Sequence, residues 1–184
     1  MSPARSLRVW DLLVRLMHWA LVAAVAVAWL STQHIGIPAS WHEPAGYGAL
    51  SVVVLRLIWG WVGSPQARFA HFVRGPRLTW AYARAVLSRT DARHIGHNPL
   101  GAWMVLALLA CVGGITTTGW LQTTDRYWGS EALENMHTTL AWLLLGLAAL
   151  HVAGVGLTSR HHRENLVLAM LDGRKRPPSR DDVM

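Results

Sequence analysis

The chain has 184 residues, of which 52% are hydrophobic and only 15% carry a charge. Eleven tryptophans add to this apolar character, and the composition favours a membrane protein over a soluble domain. A net charge of +7 and an isoelectric point near 11.0 are also typical of nucleic-acid binders. The distribution of the basic residues argues against that class, and we expect no nucleic-acid partner.

Four apolar stretches approach the roughly 20 residues that a helix needs to cross a bilayer core of about 30 Å. We therefore predict an all-α membrane protein whose whole chain, 1–184, is one integral-membrane domain built as a four-transmembrane-helix bundle in contact with lipid. The predicted spans are 12–31, 45–62, 100–121 and 140–157, followed by a basic tail, 159–184.

The basic residues fall on one side of these spans. Of the 17 Lys and Arg residues, 15 lie before or in the first turn of span one, between spans two and three, or after span four; the exceptions are Arg56 and Arg126. The 15 residues are Arg5, Arg8, Arg15, Arg68, Arg74, Arg77, Arg84, Arg89, Arg93, Arg160, Arg163, Arg174, Lys175, Arg176 and Arg180. The positive-inside rule then places both termini in the cytoplasm.

The segments between the spans carry weaker signals. Gly75-Pro76 is a plausible helix start inside the linker 64–97, and the spacing of apolar residues after it predicts an amphipathic helix on the inner leaflet, with a plain basic linker as the alternative. The predicted periplasmic loop, 122–136, is acidic. In the tail we expect a short helix, Arg163–Leu171, and then a Pro-rich, disordered end.

Four histidines, His18, His42, His137 and His151, lie at or near the ends of the apolar stretches. An imidazole that faces lipid is costly, so histidines in spanning helices usually point into the bundle and serve a site. His137 and His151 are 14 residues apart, which is about 3.9 helical turns and roughly 21 Å of rise. They should therefore share one face at two depths.

The predicted topology pairs these histidines by depth. Span one runs outward and span four runs inward, so His18 and His151 both lie at the cytoplasmic level. His42 and His137 both lie at the periplasmic level. Two such pairs can supply the axial ligands of an inner and an outer haem iron, respectively. A C-x-x-C-H motif is absent and Cys111 is the sole cysteine, so any haem is noncovalent, and Cys111 is expected to serve helix packing.

Two further residues are candidates for the cofactor environment. Arg56 follows His42 by 14 residues and so faces the same way at the inner level, where a haem propionate would suit it; the alternative is that it snorkels to the interface. His97 lies at the inner level before span three, where it would contact a quinone or propionate, or replace His18 or His151 as a ligand. We assign no catalytic residue, and expect His34 and His71 at the interface and His161 and His162 in the basic tail.

Several short motifs together resemble the bacterial cytochrome b561 family, which includes the haem b subunits of nickel-iron hydrogenases. They are Val9-Trp10-Asp11 with Arg15, His18 and Trp19; His42-Glu43 with Gly46-Tyr47; Arg56 with Trp59-Gly60 and Arg68-Phe69; Gly96-His97-Asn98-Pro99-Leu100-Gly101; and His137 through His151 to Arg163-Glu164-Asn165. The resemblance covers nearly the whole chain.

The resemblance implies a multi-pass protein of the bacterial inner membrane with two b haems, each bound by two histidines, which exchanges electrons between quinone and a partner. Its ligands would be His18, His42, His137 and His151. We favour a periplasmic cytochrome c as partner, because the outer segments carry a formal charge of −3 from Glu43, Asp125, Glu131 and Glu134 against Arg126.

Two alternative functions stay open at this point, a superoxide oxidase that reduces ubiquinone and a haem b anchor subunit of a dehydrogenase or hydrogenase. The hydrogenase type usually has a further transmembrane helix, so the hydrogenase subunit is the less favoured of the two. A homodimer is a further hypothesis.

Overall fold

The computed structural model describes residues 7–33, 35–179 and 182–183. The predictions that involve Arg5, His34 and Arg180 concern residues outside this part of the chain. The elements of the described residues, in order, are β1 (Leu7–Arg8), α1 (Leu12–Thr32), a 3-10 turn (Ala39–Trp41), α2 (His42–Val62), α3 (Phe69–Phe72), α4 (Pro76–Leu87), α5 (Pro99–Gln122), α6 (Glu131–His161), α7 (Leu166–Asp172) and β2 (Arg174–Lys175).

Helices α1, α2, α5 and α6 have the length and apolar composition of membrane spans, as predicted. Only 6% to 28% of the residues in their apolar windows are buried inside the protein, so most of their apolar surface is left for lipid. Two boundaries differ from the expectation. Helix α2 begins at His42, and α6 has 31 residues, more than the roughly 20 that a crossing needs.

Local sequence signals explain where the helices begin. The Asp11 carboxylate accepts the backbone N–H of Val14 at 2.8 Å and so caps α1. Asn98 caps α5 in the same way, accepting the N–H of Gly101 at 2.7 Å. Helix α4 follows Gly75 with a proline in its first turn, which confirms the predicted helix there. Four of its apolar side chains are exposed: Leu78, Trp80, Val86 and Leu87.

The chain divides into two compact units. The first unit contains the described residues of Met1–Arg15, Trp59–Leu106 and Ala149–Met184, and the second contains Leu16–Ile58 and Ala107–Ala148. A cluster in the first unit buries Val9, Trp10, Ile95 and Ala169. The second unit buries Ala49, Val53, Leu109, Cys111, Val112 and Leu144. The Cys111 thiol donates to the Leu140 carbonyl at 3.4 Å, consistent with a packing role.

The tail is more ordered than its composition suggests. Strands β1 and β2 pair antiparallel, and the carbonyl of Gly173 accepts the N–H of Val9 at 2.9 Å. Gly173 has a φ of +80° and ends α7, which begins at Leu166 rather than at the predicted Arg163 because Asn165 supplies the cap. The expected disorder beyond this point is wrong for the described residues, since buried ion pairs hold them.

Candidate functional site

Two of the candidate histidines lie close together in the second unit. His42 is the first residue of α2, and His137 lies in the second turn of α6. Their ring centroids are 6.0 Å apart, and the ring planes are inclined by 65°. Both side chains are half-buried. The two imidazoles of the predicted outer pair therefore lie next to each other.

Backbone carbonyls hold both rings through the same nitrogen. His42 Nδ1 lies 2.9 Å from the carbonyl oxygen of Ala28 in α1, and His137 Nδ1 lies 3.1 Å from that of Ile115 in α5. A carbonyl oxygen can only accept, so Nδ1 carries the proton in each ring. When the ring is neutral, Nε2 keeps its lone pair, which is the form in which histidine binds a metal.

Two residues of α5, Thr118 and Gly119, contact the His137 ring or leave space for it. Thr118 is only 5% exposed, and its hydroxyl lies 3.2 Å from His137 Nδ1. One residue further, Gly119 leaves room for the imidazole, because a Cβ at that position would approach His137 Cε1 to 3.2 Å. A larger side chain at position 119 would therefore displace the ring.

The other two candidate ligands lie in different units. His18, on α1 in the second unit, is half-buried, and its ring contacts Trp19 edge to face with centroids 5.0 Å apart. His151, on α6 in the first unit, is also half-buried. Their pairing stays a prediction from their depth along the two helices.

Arg56 lies in the interior of α2 and is 7% exposed, although its neighbours Leu55 and Leu57 are largely exposed. The guanidinium thus sits on the protein-facing side of a spanning helix. A cation in such a place is costly unless an anion or an array of acceptors accompanies it.

His97 packs between two aromatic rings in the first unit. Its ring centroid is 4.6 Å from that of Trp10 and 4.3 Å from that of Phe72. His97 also lines a cavity of about 450 Å³, whose lining includes the basic side chains of Arg8 and Arg74. Such a cavity suits an anionic or carbonyl-bearing ligand with an apolar body.

Comparison with known proteins gives one match. The family model described as prokaryotic cytochrome b561 matches residues 9–173, which is most of the chain. The chain belongs to the prokaryotic cytochrome b561 family. No curated protein and no solved structure matches it. Membership implies a haem b protein of bacterial membranes that transfers electrons, and four spanning helices agree with a cytochrome b561 bundle.

The His42 and His137 pair fits the cytochrome b561 cofactor. With ring centroids 6.0 Å apart, the two imidazoles would be able to hold a haem iron between them. Neutral rings with Nδ1 protonated are the required ligand form, so the donor set suits a noncovalently bound haem.

Sequence reasoning missed the residues that orient these ligands. Ala28 and Ile115 act through backbone carbonyls, which carry no side-chain signal. Thr118 and Gly119 had a detectable signal, because a hydroxyl and a glycine adjoin within a long apolar helix. Ordinary helix packing uses the same residue types, so the signal was not specific.

Proposed function

We propose that this cytochrome b561 is a di-haem electron carrier that connects membrane quinone with a periplasmic one-electron partner such as a c-type cytochrome. The observation that carries the proposal is the His42 and His137 pair, with centroids 6.0 Å apart and both Nδ1 atoms bound to carbonyls. These two residues are the proposed ligands of the outer haem iron.

Each part of the chain has a defined task in this proposal. The haem supplies reversible one-electron chemistry at its iron. His42 and His137 keep their protons on Nδ1, so neither ring needs to gain or lose a proton when the charge of the site changes. The apolar helices around them exclude water and keep the local dielectric low.

A second haem is proposed between His18 and His151. Its support is the 14-residue spacing from His137 to His151 on α6, which sets two ligand levels roughly 21 Å apart on one helix face. Arg56 repeats this spacing from His42 on α2. We propose that its buried guanidinium pairs with a propionate of this inner haem.

The quinone is proposed to enter the cavity beside His97. A quinone headgroup has two carbonyl oxygens that accept hydrogen bonds, and arginine or histidine side chains donate them. Arg8, Arg74 and His97 line the cavity, whose volume of about 450 Å³ falls within the usual range for small-ligand sites.

We place the protein in the bacterial inner membrane with both termini in the cytoplasm. The support is the asymmetry of the basic residues, 15 of 17 of which lie on one side of the spans. In this orientation His42 and His137 face the periplasm. The outer haem would then be the site that meets a periplasmic partner.

The test is haem stoichiometry and redox titration of the purified protein and two ligand variants. We expect two haems per chain by a pyridine haemochrome assay. His42→Ala should remove one component of the potentiometric titration and His151→Ala the other, because each haem takes its ligands from one depth. Electrons from added quinol should then reach cytochrome c through the wild type but through neither ligand variant.

His161→Ala is the matched control, since His161 is exposed at the end of α6 and is neither a proposed haem ligand nor part of the lining of the quinone cavity. It should keep both components and the wild-type rate. One haem per chain, or loss of the same component in both ligand variants, would reject the pairing. If haem-loaded protein transfers no electrons from quinol to cytochrome c, the proposed electron-transfer function is wrong.

A further inference from the structure

A second cluster of metal-binding side chains lies in the first unit, outside the proposed haem ligands. It consists of Asp91, His161 and His162, whose ligand atoms all lie within 4.8 Å of one another. His161 Nε2 is 3.2 Å from Asp91 Oδ1, and His162 Nε2 is 3.0 Å from Asp91 Oδ2. One carboxylate thus faces two imidazole nitrogens.

The local fold fixes these positions. His161 is the last residue of α6. His162 follows in a turn, and its backbone N–H donates to the Thr158 carbonyl at 3.0 Å. The next residue, Arg163, has a φ of +50°, which turns the chain sharply away from the helix axis. Both rings therefore stay at the helix end, beside the segment that contains Asp91.

The Asp91 carboxylate is buried and held by a hydrogen bond, as metal-binding carboxylates usually are. The side chain is 6% exposed, and the Tyr82 hydroxyl donates to its Oδ2 at 3.4 Å. Outer contacts of this kind orient a carboxylate that binds a metal. The side chain of His162 is 12% exposed and that of His161 37% exposed, so the site opens to solvent on one side.

Two of the three distances between ligand atoms are close to those around a small divalent ion. In a tetrahedral zinc site with bonds of about 2.0 to 2.2 Å, neighbouring ligand atoms lie roughly 3.3 to 3.6 Å apart. The two carboxylate to imidazole distances, 3.0 and 3.2 Å, need to widen by only a few tenths of an ångström. Three protein ligands also leave one position for water.

Simple ion pairing explains the cluster less well. If both imidazoles were protonated, two cations with ring centroids 4.7 Å apart would share one carboxylate, and their mutual repulsion would offset much of the attraction. A divalent ion bound by neutral imidazoles removes that repulsion; each ring then holds its proton on Nδ1, so that Nε2 presents its lone pair to the metal. Two histidines with one carboxylate are a common ligand set for first-row metals.

We propose that Asp91, His161 and His162 bind a divalent first-row transition metal, with Zn²⁺ as the probe. Bound metal would fasten the end of α6 to the segment between α4 and α5. This inference does not depend on the proposed electron transfer, because none of its ligands is a proposed haem ligand.

The experiment uses the full-length, haem-loaded protein without a histidine tag, freed of metal with a chelator. Calorimetric titration with Zn²⁺ should give one site per chain. His162→Gln and Asp91→Asn should each weaken binding at least tenfold, as loss of one of three ligands does. His161→Gln should weaken it as well, and its exposed position makes this variant the safest for folding.

His71→Gln is the control, because it removes an exposed histidine of the same unit that is not in the cluster. It should bind Zn²⁺ like the wild type. The haem spectra should be unchanged in all four variants, which separates this result from any failure of the haem sites. The proposal is overturned if the wild type binds no Zn²⁺, or if binding is the same in His161→Gln and His162→Gln as in the control.

Discussion

At the scale of single residues, the helix backbone orients the proposed outer ligands. Ala28 and Ile115 have carbonyls in transmembrane helices, and each carbonyl oxygen has two lone pairs, so it can accept from an imidazole in addition to its helical partner. The Thr118 hydroxyl also donates to the Ile115 carbonyl, at 2.9 Å. The imidazoles are thus positioned by rigid elements before a cofactor binds, which reduces the ordering that binding requires.

Arg56 provides a residue-scale prediction. Because Arg56→Leu removes a buried positive charge, it should stabilise the oxidised haem relative to the reduced one. The inner haem's potential should therefore fall by tens of millivolts, on the order of 1 kcal/mol for a charge screened by partly polar surroundings. Spectroelectrochemical titration measures this shift, and the ligation spectrum should stay the same.

Arg126→Leu is the matched control, since Arg126 lies exposed in the loop before α6 with its guanidinium over the Tyr127 ring. It removes the same charge from a solvated site and should shift the inner potential much less. An unchanged or higher inner potential in Arg56→Leu would assign Arg56 to a packing role.

At the scale of elements, a buried ion cluster holds the tail against the segment after α4. Arg93 Nη2 lies 2.5 Å from Glu164 Oε1, and Nη1 lies 2.5 Å from Asp182 Oδ2. The three side chains are 4% to 7% exposed. Burial alone would raise the pKa of Glu164, but the hydrogen bond from Arg93, with help from Lys175, holds this pKa below its ordinary value of 4.5.

This depressed pKa predicts that acid releases the tail. A carboxylate with a lowered folded-state pKa stabilises the fold above its ordinary pKa, and the stabilisation is lost as the pH falls from about 4.5 through the lower folded value. Limited proteolysis at decreasing pH should therefore begin to cut the tail below about pH 4.5. Arg93→Met should expose it already at neutral pH, since breaking a buried pair costs about 3 kcal/mol.

The control for this change is Arg176→Met, an exposed arginine of the same segment whose backbone, rather than side chain, contacts the cluster. Its tail should resist protease at neutral pH as the wild type does. Equal resistance of Arg93→Met would show that the strand pairing and α7 hold the tail without the ion cluster.

At the scale of the whole molecule, acidic and basic residues lie on opposite sides of the membrane in the orientation that we propose. Asp125, Glu131 and Glu134 are all exposed, and the two glutamates lie in the first turn of α6, where the helix dipole also favours negative charge. The basic residues occupy the opposite segments. The surface beside His137 is therefore suited to a basic protein partner.

This asymmetry predicts how the partner associates. Neutralising Asp125, Glu131 and Glu134 as Asn, Gln and Gln should slow reduction of a basic cytochrome c severalfold at low salt and flatten its salt dependence. The reason is that long-range steering is screened over roughly 8 Å at 0.15 M salt. Both haem spectra should remain unchanged. Stopped-flow absorbance measures the rate.

Asp172→Asn is the control, because Asp172 is an exposed carboxylate of the first unit. It should leave the rate unchanged. Superoxide oxidation would respond with the opposite sign, since removing negative charge speeds the approach of an anion. A cytochrome rate unaffected by the triple change, together with a faster reaction with superoxide, would favour that alternative.

The sequence by itself determined the class, the four spans and the family. Apolar length is a local property, so the spans were recognisable, and Gly75-Pro76 likewise marked the start of α4. It also placed His42 and His137 at one level, because helical rise converts residue number into depth. The assignment of His18, His151, Arg56 and His97 to cofactors stays a prediction.

Tertiary structure alone decided which groups meet. The carbonyls of Ala28 and Ile115 can be identified as partners of the ligand imidazoles only when the helices are packed, because every residue has the same carbonyl. The sequence places His161 and His162 in the basic tail, yet they face Asp91, 70 and 71 residues away in the chain. The end of the tail is predicted to be disordered because it is Pro-rich, but Asp182 in this end buries its charge against Arg93, which also pairs with Glu164. Composition reports how much apolar surface a segment can bury, whereas such ion pairs depend on contacts between distant segments that only the folded chain creates.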